Sequence, residues 1–318
     1  MARIRLDWAD IPLRPPTVPE RHGYARDLDL AGPHSLLHLI DRTLSSQGHE
    51  RLTSWLLDQP PDPARWSARQ TLIRELTPLS LLRDRLSLEA QAVEEADIDG
   101  RRLLNLLQTR VDDPSLVPML AAETVLAILT AGLLLADLLQ GIGNYWMLSF
   151  GLYAFLFLSV RSRSEEIFDH AQSLHRQLER LSAVLGYVER RSYHGSPQLA
   201  ELCSPLLQPH SKPSASLKQA ASIMNRLSVR AHPLVHYLIN AIGPWDLVHT
   251  YRLQQLQNRI IATAPRWFET LAELDAAASL ATFAYLHPAY PWPVLVDSDA
   301  GPLPNGERPV LDARQLAH

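Results

Sequence analysis

The stretch Thr43–Arg69, TLSSQGHERLTSWLLDQPPDPARWSAR, sets the helical character of the chain. After a polar start and Gly48, Leu52 and Trp55 recur at three-to-four spacing, which predicts a helix with one buried face. The prolines that follow cannot continue it, because they lack the amide donor. We expect Gly48 to separate two helices and Asp62 to cap the next one. The stretch holds no catalytic pair or metal-ligand spacing, so we predict an architectural role.

The neighbouring segments extend this pattern in both directions. Upstream, SLLHLIDRTL (residues 35–44) places four apolar side chains on one helical face. Downstream, a helix should begin near Pro63 or Ala64 and continue through RWSARQTLIRELTPLSLLRDRL. Residues 1–30 are aperiodic and rich in proline and arginine, so we expect an extended lead-in.

The composition bounds the function classes. Of the 318 residues, 46% are hydrophobic and 20% charged, which supports a large core and excludes global disorder. The net charge of -4 gives no overall basic field, so any DNA contact must come from a local patch. Cys203 is the single cysteine, and the start carries no signal-peptide pattern. We therefore expect a cytoplasmic chain.

Residues 118–160 are far more apolar than the rest. The second half carries no charge, the first half carries Glu123 and Asp137, and a glycine-rich turn separates them. Each half approaches the roughly 20 residues that span a bilayer. Arginines flank both outer ends, which predicts a membrane hairpin with both ends in the cytoplasm. The alternative is a fully buried hairpin in a soluble bundle. Asp137 favours it, because a mid-bilayer carboxylate costs roughly 2.5–3.5 kcal/mol.

Two long helical regions follow the hairpin. The first covers residues 163–191, and the second covers residues 217–287 with a break near HPLVHYLINAIGPWD. Pro265 should bend or restart the second helix. An apolar seam on it requires a partner helix; its members are Leu253, Leu256, Ile260, Trp267, Leu271, Leu274 and Leu280. The only strand-like run is PWPVLV near the C-terminus, so the fold class is mostly α with an elongated, lever-like part.

The chain carries no recognisable catalytic motif. It has no Gly-Lys-Ser/Thr phosphate loop, no Gly-x-Gly-x-x-Gly and no Gly-x-Ser-x-Gly. His232 and His236 lie four residues apart, with Asp246 and His249 downstream, but two ligands make only half a metal site. We interpret them as ordinary helix histidines, and we predict no catalytic, metal or cofactor residues.

Ten residues keep a defined order through the first helical part: Ser35, Leu36, Thr43, Gly48, Leu52, Trp55, Leu56, Pro60, Arg69 and Gln70. This order resembles the start of the core domain of the MutS family of DNA mismatch repair proteins. LAELDAAASLATFA (residues 271–284), with Leu274 and Asp275, resembles the family's lever helix. PVLDARQLAH (residues 309–318) resembles the lead-in to its ATPase. The pattern departs at Glu50, where the family has an arginine; here Arg51 stands beside it.

The resemblance implies a division of the chain. The parts are an extended lead-in (1–30), a helical core domain (31–114), a hydrophobic hairpin (115–165), long lever helices (166–287) and a lead-in to an ATPase domain expected beyond residue 318 (288–318). The family's clamp would occupy the hairpin's place, so the chain is most similar to a divergent branch with hydrophobic helices there.

The resemblance also implies partners. The complete protein would be a dimeric, DNA-binding ATPase that uses ATP and Mg²⁺ on double-stranded DNA in mismatch repair or damage sensing. The chain itself lacks the ATP site and the mismatch-reading Phe-x-Glu. The alternative function is an α-helical, membrane-anchored scaffold that binds a protein partner and has no nucleic-acid role.

Overall fold

The computed structural model describes residues 2–14, 22, 24–25, 27–57, 62–91, 100–101, 105, 115–141, 143–208, 212–227 and 233–294. For residues 90–91, 160–176, 227 and 233–234 the description is limited to the backbone. These ranges are mostly helical and contain no strand, which confirms the mostly-α prediction. The strand-like PWPVLV has no regular structure at residues 291–294, and the remainder to residue 318 lies outside the described ranges.

The helices, in chain order, are α1 (Ala2–Arg5), α2 (Leu36–Ile40), α3 (Ser46–Leu57), α4 (Pro63–Leu76), α5 (Ser80–Gln91), α6 (Leu116–Gln140), α7 (Tyr145–Arg190), α8 (Pro197–Cys203), α9 (Pro213–Leu227), α10 (Pro233–Ile242) and α11 (Trp245–Leu286). Two 3-10 turns cover Trp8–Asp10 and Ser204–Leu206.

The conformation of the lead-in and two predicted helix extents differ from the structure. The lead-in is not uniformly extended, because its first residues form α1 and a 3-10 turn that fold back against α2. The helix predicted over residues 35–44 ends at Ile40, since the Asp41 carboxylate accepts from the Thr43 amide 3.0 Å away. The helix predicted to run through residue 86 is split into α4 and α5 around Pro78, which cannot donate to the helix ladder. The Asp62 cap is confirmed, because its side chain accepts from Ala64 N.

One large apolar core joins the N-terminal helices to the later ones. It contains Leu76, Leu82, Leu185, Leu199 and Ile260 among its most buried members. A smaller cluster of Leu37, Ile40, Leu52 and Ala276 adjoins it. We call the part built on these two clusters the hub. It consists of α2–α5, the last turns of α7, α8, α9 and the part of α11 from Leu253 onward.

Two long helices leave the hub. α7 has 46 residues and α11 has 42, so at 1.5 Å per residue they extend about 69 and 63 Å. α9 packs against both helices and supplies part of the partner surface that the α11 seam requires. The seam is confirmed, since Leu253, Leu256 and Ile260 are buried. α11 continues through Pro265 without restarting.

The far end of the long helices carries the apolar hairpin. α6 packs along the first part of α7, and the predicted turn is present: Gly141 has φ +61° and closes α6. This left-handed backbone suits glycine because it has no Cβ. The predicted boundary at residue 165 is not a structural break, because α7 runs unbroken from the hairpin into the hub. We call α6, the Tyr145–Ser159 part of α7 and α10 the head.

Candidate functional site

The motif residues predicted from the sequence meet in the hub. Leu52 is completely buried, and Leu274 is 2% exposed. Gly48 of α3 lies directly against Asp275 of α11. Residues separated by more than two hundred positions therefore form one contact, and the predicted break at Gly48 is wrong because Gly48 lies inside the first turn of α3.

Asp275 caps α3 from another helix. Its carboxylate accepts hydrogen bonds from Leu44 N at 2.9 Å, Ser45 N at 3.0 Å and the Ser45 hydroxyl at 2.8 Å. The first amides at a helix start have no partner within the helix, and a carboxylate there also opposes the positive end of the helix dipole. The second long helix thus holds the two residues that precede α3, and the Ser45 hydroxyl oxygen in turn accepts from the Gly48 amide at 3.0 Å.

Glycine at position 48 permits this approach. A Cβ at this position would stand 2.1 Å from Asp275 Oδ2 and 2.9 Å from Asp275 Cβ, well inside van der Waals contact. A larger side chain must therefore push α11 away from α3 or displace the capping carboxylate. The glycine serves close packing between helices.

A second polar contact lies one turn further along α11. The Ser279 hydroxyl accepts from Arg42 N at 2.8 Å and donates to Ile40 O at 2.6 Å. Ser279 is 2% exposed, so both main-chain groups depend on it rather than on water. Asp275 and Ser279 are four residues apart and therefore share one face of α11. Together they fasten the α2–α3 link to the long helix.

Thr43 belongs to a polar network beside this contact. Its hydroxyl donates to Asp41 Oδ1 at 2.6 Å, and His49 Nδ1 lies 2.7 Å from Asp41 Oδ2. Burial would raise the pKa of Asp41, but the hydrogen bonds from His49 and Thr43 outweigh it and hold that pKa below its usual value. Thr43 therefore shapes the loop between α2 and α3.

Glu50, which stands where the MutS family has an arginine, and its neighbour Arg51 each form ion pairs in the structure. Glu50 pairs with Arg101, while Arg51 reaches α11, with its guanidinium 3.3 Å from Glu269 and 3.6 Å from Glu273. These pairs are partly exposed, so each contributes at most about 1 kcal/mol.

Trp55, Arg69 and Gln70 connect α3 and α4 to the rest of the hub. The Arg69 guanidinium lies 4.8 Å from the centre of the Trp55 ring, a cation–π distance. Gln70 Nε2 donates to Pro293 O at 2.7 Å and holds the segment after α11. The described motif residues thus lie in the hub region, although Trp55, Arg69 and Gln70 do not touch the Gly48–Asp275 contact; Pro60 lies outside the described residues.

A small cavity lies beside this contact. Its volume is about 70 Å³, and Arg42, Arg83 and Asp275 are among its lining residues. Arg83 donates to Thr77 O at 2.6 Å and lies 5.2 Å from the centre of the Tyr285 ring, so it ties α4 to α11. A cavity of this size suits a few water molecules rather than a nucleotide, whose pockets take roughly 300 Å³ or more.

Burial sets the ionisation of Asp275. Removal of its carboxylate from water raises its pKa to about 6, against the opposing effect of the Leu44 and Ser45 donors. The group therefore titrates at mildly acidic pH rather than near its usual value.

The head is the second unusual feature. In α6 the one residue classed as buried is Glu123, whereas Ile128 is 68% exposed and Leu138 is 82% exposed. This pattern is inverted relative to a soluble bundle, because α6 is not buried within this chain. Within the described ranges, α6 is the one helix long and apolar enough to cross a membrane, and the apolar run Tyr145–Ser159 is shorter.

The ionisable side chains of the head are either buried in the protein or located at the end of a helix. Asp137 lies in the last turn of α6 and accepts from Gly143 N at 3.0 Å, so it is at the hairpin tip rather than mid-helix. His236 Nε2 lies 2.6 Å from Asp246 Oδ2, and His249 is buried nearby. Among the residues that the structure describes, no group of three or more metal-ligating side chains is present. His232 lies outside the described residues.

The sequence did not predict two residues of the hub contact, Ser279 and Asp41, or the head helix α10. Ser279 could have been found from the sequence, because it lies four residues after Asp275 in an alanine-rich run.

Comparison of the chain with known protein families, characterised proteins and solved structures finds no match.

Proposed function

We propose that this chain is the core-and-lever part of a MutS-like ATPase, in which an apolar head that inserts into a membrane stands in place of the DNA clamp. The observation that carries the proposal is the course of α7 and α11. α7 begins in the head, and α11 begins directly after the head helix α10; both reach the hub core, where Asp275 fixes α11. Rigid helices that are bridged by α9 and have a defined end contact are suited to transmit a conformational state between two sites.

The proposal combines two independent supports. The resemblance of the core and lever motifs supports the family, double-stranded DNA as partner, a homodimer, and ATP with Mg²⁺ in the complete protein. The residues of this chain do not fit ATP, because they contain no Gly-Lys-Ser/Thr sequence. The outward-facing leucines and isoleucines of α6 support membrane association, because an apolar surface this large marks an interaction site.

Two measurements test the proposal. The reading frame should encode a Gly-Lys-Ser/Thr loop within about a hundred residues after His318. The complete protein should sediment with membranes after carbonate washing, and its affinity for duplex DNA should fall linearly with the logarithm of salt concentration. Membrane association without salt-dependent DNA binding, and without the loop, would replace this proposal with the membrane-anchored scaffold.

A further inference from the structure

The exposure of α10 is inverted in the same way as that of α6. Ile242 is 80% exposed and Leu238 is 66% exposed, whereas His236 is 8% exposed and Asn240 only 1%. Val235, Leu238 and Ile242 recur at three-to-four spacing and form one outer face. A ten-residue helix that buries its polar side chains and exposes its apolar ones is poorly suited to water.

α10 contacts the apolar part of α7 through the side chains of Tyr153 and Phe157. The Tyr153 hydroxyl donates to Asn240 O, and the Phe157 ring lies 5.8 Å from His236 and 6.3 Å from Tyr237. The earlier residues of α10 therefore contact the later residue of α7. This order means that α10 runs toward the hairpin tip, with Ile242 at its leading end.

The polar groups of α10 are satisfied inside the protein. Asn240 Nδ2 donates to His236 O at 3.0 Å, and Asn240 Oδ1 accepts from Asp246 N at 3.1 Å. His236 is paired with Asp246. Polar groups paired internally do not oppose transfer into hydrocarbon, where each unsatisfied group costs several kcal/mol.

We propose that α10 enters the membrane with the hairpin, so that the lipid-contacting surface is a three-helix head covered by phospholipid acyl chains. This inference rests on the proposed membrane insertion. α10 broadens the head on the side of α7, whose apolar run of 15 residues extends only about 22 Å against a hydrocarbon core of about 30 Å.

Lipid fits this surface better than a protein partner, because exposed apolar residues lie on all three helices of the head. At 100° per residue the exposed apolar side chains of α6 cover more than half of its circumference; they are Val117, Val125, Ile128, Leu129, Leu134, Leu135, Leu138 and Leu139. Exposed apolar residues also form the outer face of α10 and include Phe155 of α7. A docked protein would cover one side, whereas a bilayer surrounds the whole head.

Site-specific fluorescence tests the inference. In a Cys203→Ala background, single cysteines are introduced by Leu238→Cys or Ile242→Cys in α10 and by Leu139→Cys in the hairpin. Leu81→Cys in α5 is the matched control, because Leu81 is an equally exposed leucine (77%) of the hub. Each protein carries an environment-sensitive fluorophore and is reconstituted into phosphatidylcholine–phosphatidylglycerol vesicles with or without brominated acyl chains.

We expect brominated lipid to quench the fluorophores at positions 139, 238 and 242, with the strongest loss in α10 at position 242, and to leave position 81 unchanged. Quenching at 139 without quenching at 238 and 242 would overturn the role of α10 while leaving the membrane hairpin intact. Absence of quenching at all three would overturn both proposals. Blue-shifted emission at 238 and 242 without bromine quenching would mean that protein, not lipid, covers α10.

Discussion

The Asp275 carboxylate of α11 occupies the space that a side chain at Gly48 of α3 would fill. An added Cβ there would meet both the carboxylate and the β-carbon of Asp275 within 3 Å. The same carboxylate accepts hydrogen bonds from the Leu44 and Ser45 amides that precede α3. The absence of a side chain at Gly48 and the carboxylate of Asp275 therefore belong to one contact.

Gly48→Ala should destabilise the hub strongly. The added methyl group forces α3 and α11 apart or displaces the cap, so we expect a loss of about 2–3 kcal/mol in the free energy of unfolding. Chemical unfolding of the chain in detergent micelles, followed by circular dichroism, measures it.

Gly186→Ala in α7 is the matched control, because its Cβ would meet chiefly the flexible end of Arg190 at 3.1 Å. A loss for Gly48→Ala no larger than that for Gly186→Ala would show that the close approach is not required.

Asp275→Asn should also destabilise the hub, by about 1–3 kcal/mol. The amide keeps one acceptor but directs two hydrogens toward the amides that the carboxylate binds. Glu273→Gln, two residues away, loses only a partly exposed pair with Arg51 and should change stability by less than about 1 kcal/mol. Equal effects of the two substitutions on the unfolding midpoint would contradict the capping role.

The stability of the hub should depend on pH through Asp275. Its pKa in the folded chain, about 6, lies above the ordinary value of 3.8. Folding therefore favours the protonated form of Asp275. The contribution of this protonation to the free energy of unfolding is complete below about pH 4 and is lost as the pH rises through about 6. The stability difference between the wild type and Asp275→Asn should therefore widen on acidification across this window. An unchanged or narrowing difference would contradict the raised pKa.

Ser279→Ala should cost about 1–3 kcal/mol, because it leaves Arg42 N and Ile40 O buried without their partner. Since Ser279 and Asp275 hold the same link on one face of α11, their effects should not add. A double-mutant cycle with Asp275→Asn should give a coupling energy of at least about 0.5 kcal/mol. Strict additivity would show that the two contacts act independently.

A charge on the outer face of α6 should impair membrane association. Ile128 lies at the middle of α6 and is 68% exposed. Ile128→Arg should disfavour insertion by roughly 2.5–3.5 kcal/mol, which would lower the carbonate-resistant membrane fraction sharply. Leu81→Arg places the same charge on an exposed hub leucine and should leave that fraction unchanged. Equal behaviour of the two variants would argue against the hairpin as the membrane contact.

The sequence correctly predicts those features of the fold that depend on residues close together in the chain. The Asp62 cap, the glycine turn after α6 and the buried seam of α11 follow from neighbouring residues, and the structure contains all three. The function of Gly48 could not be derived in this way. Its spacing suggested a break, but the decisive neighbour, Asp275, is 227 positions away, so no window around Gly48 reveals it.

The end of α2 and the nature of α10 have similar explanations. α2 stops at Ile40 because the Asp41 side chain turns back to the Thr43 amide, a local competition that an apolar pattern does not register. α10 has an amphipathic sequence, but only the contacts of Asn240 and His236 with Tyr153 and Phe157 show that its polar side faces inward.

Pulsed electron paramagnetic resonance tests most directly whether the long helices join head and hub rigidly. Nitroxides are attached through Leu148→Cys near the hairpin tip and Leu81→Cys in the hub, both highly exposed positions, in the Cys203→Ala chain reconstituted into vesicles. The account predicts one narrow distance distribution, which Gly48→Ala broadens. A broad distribution in the protein with Gly48, or an identical narrow one in both proteins, would contradict it.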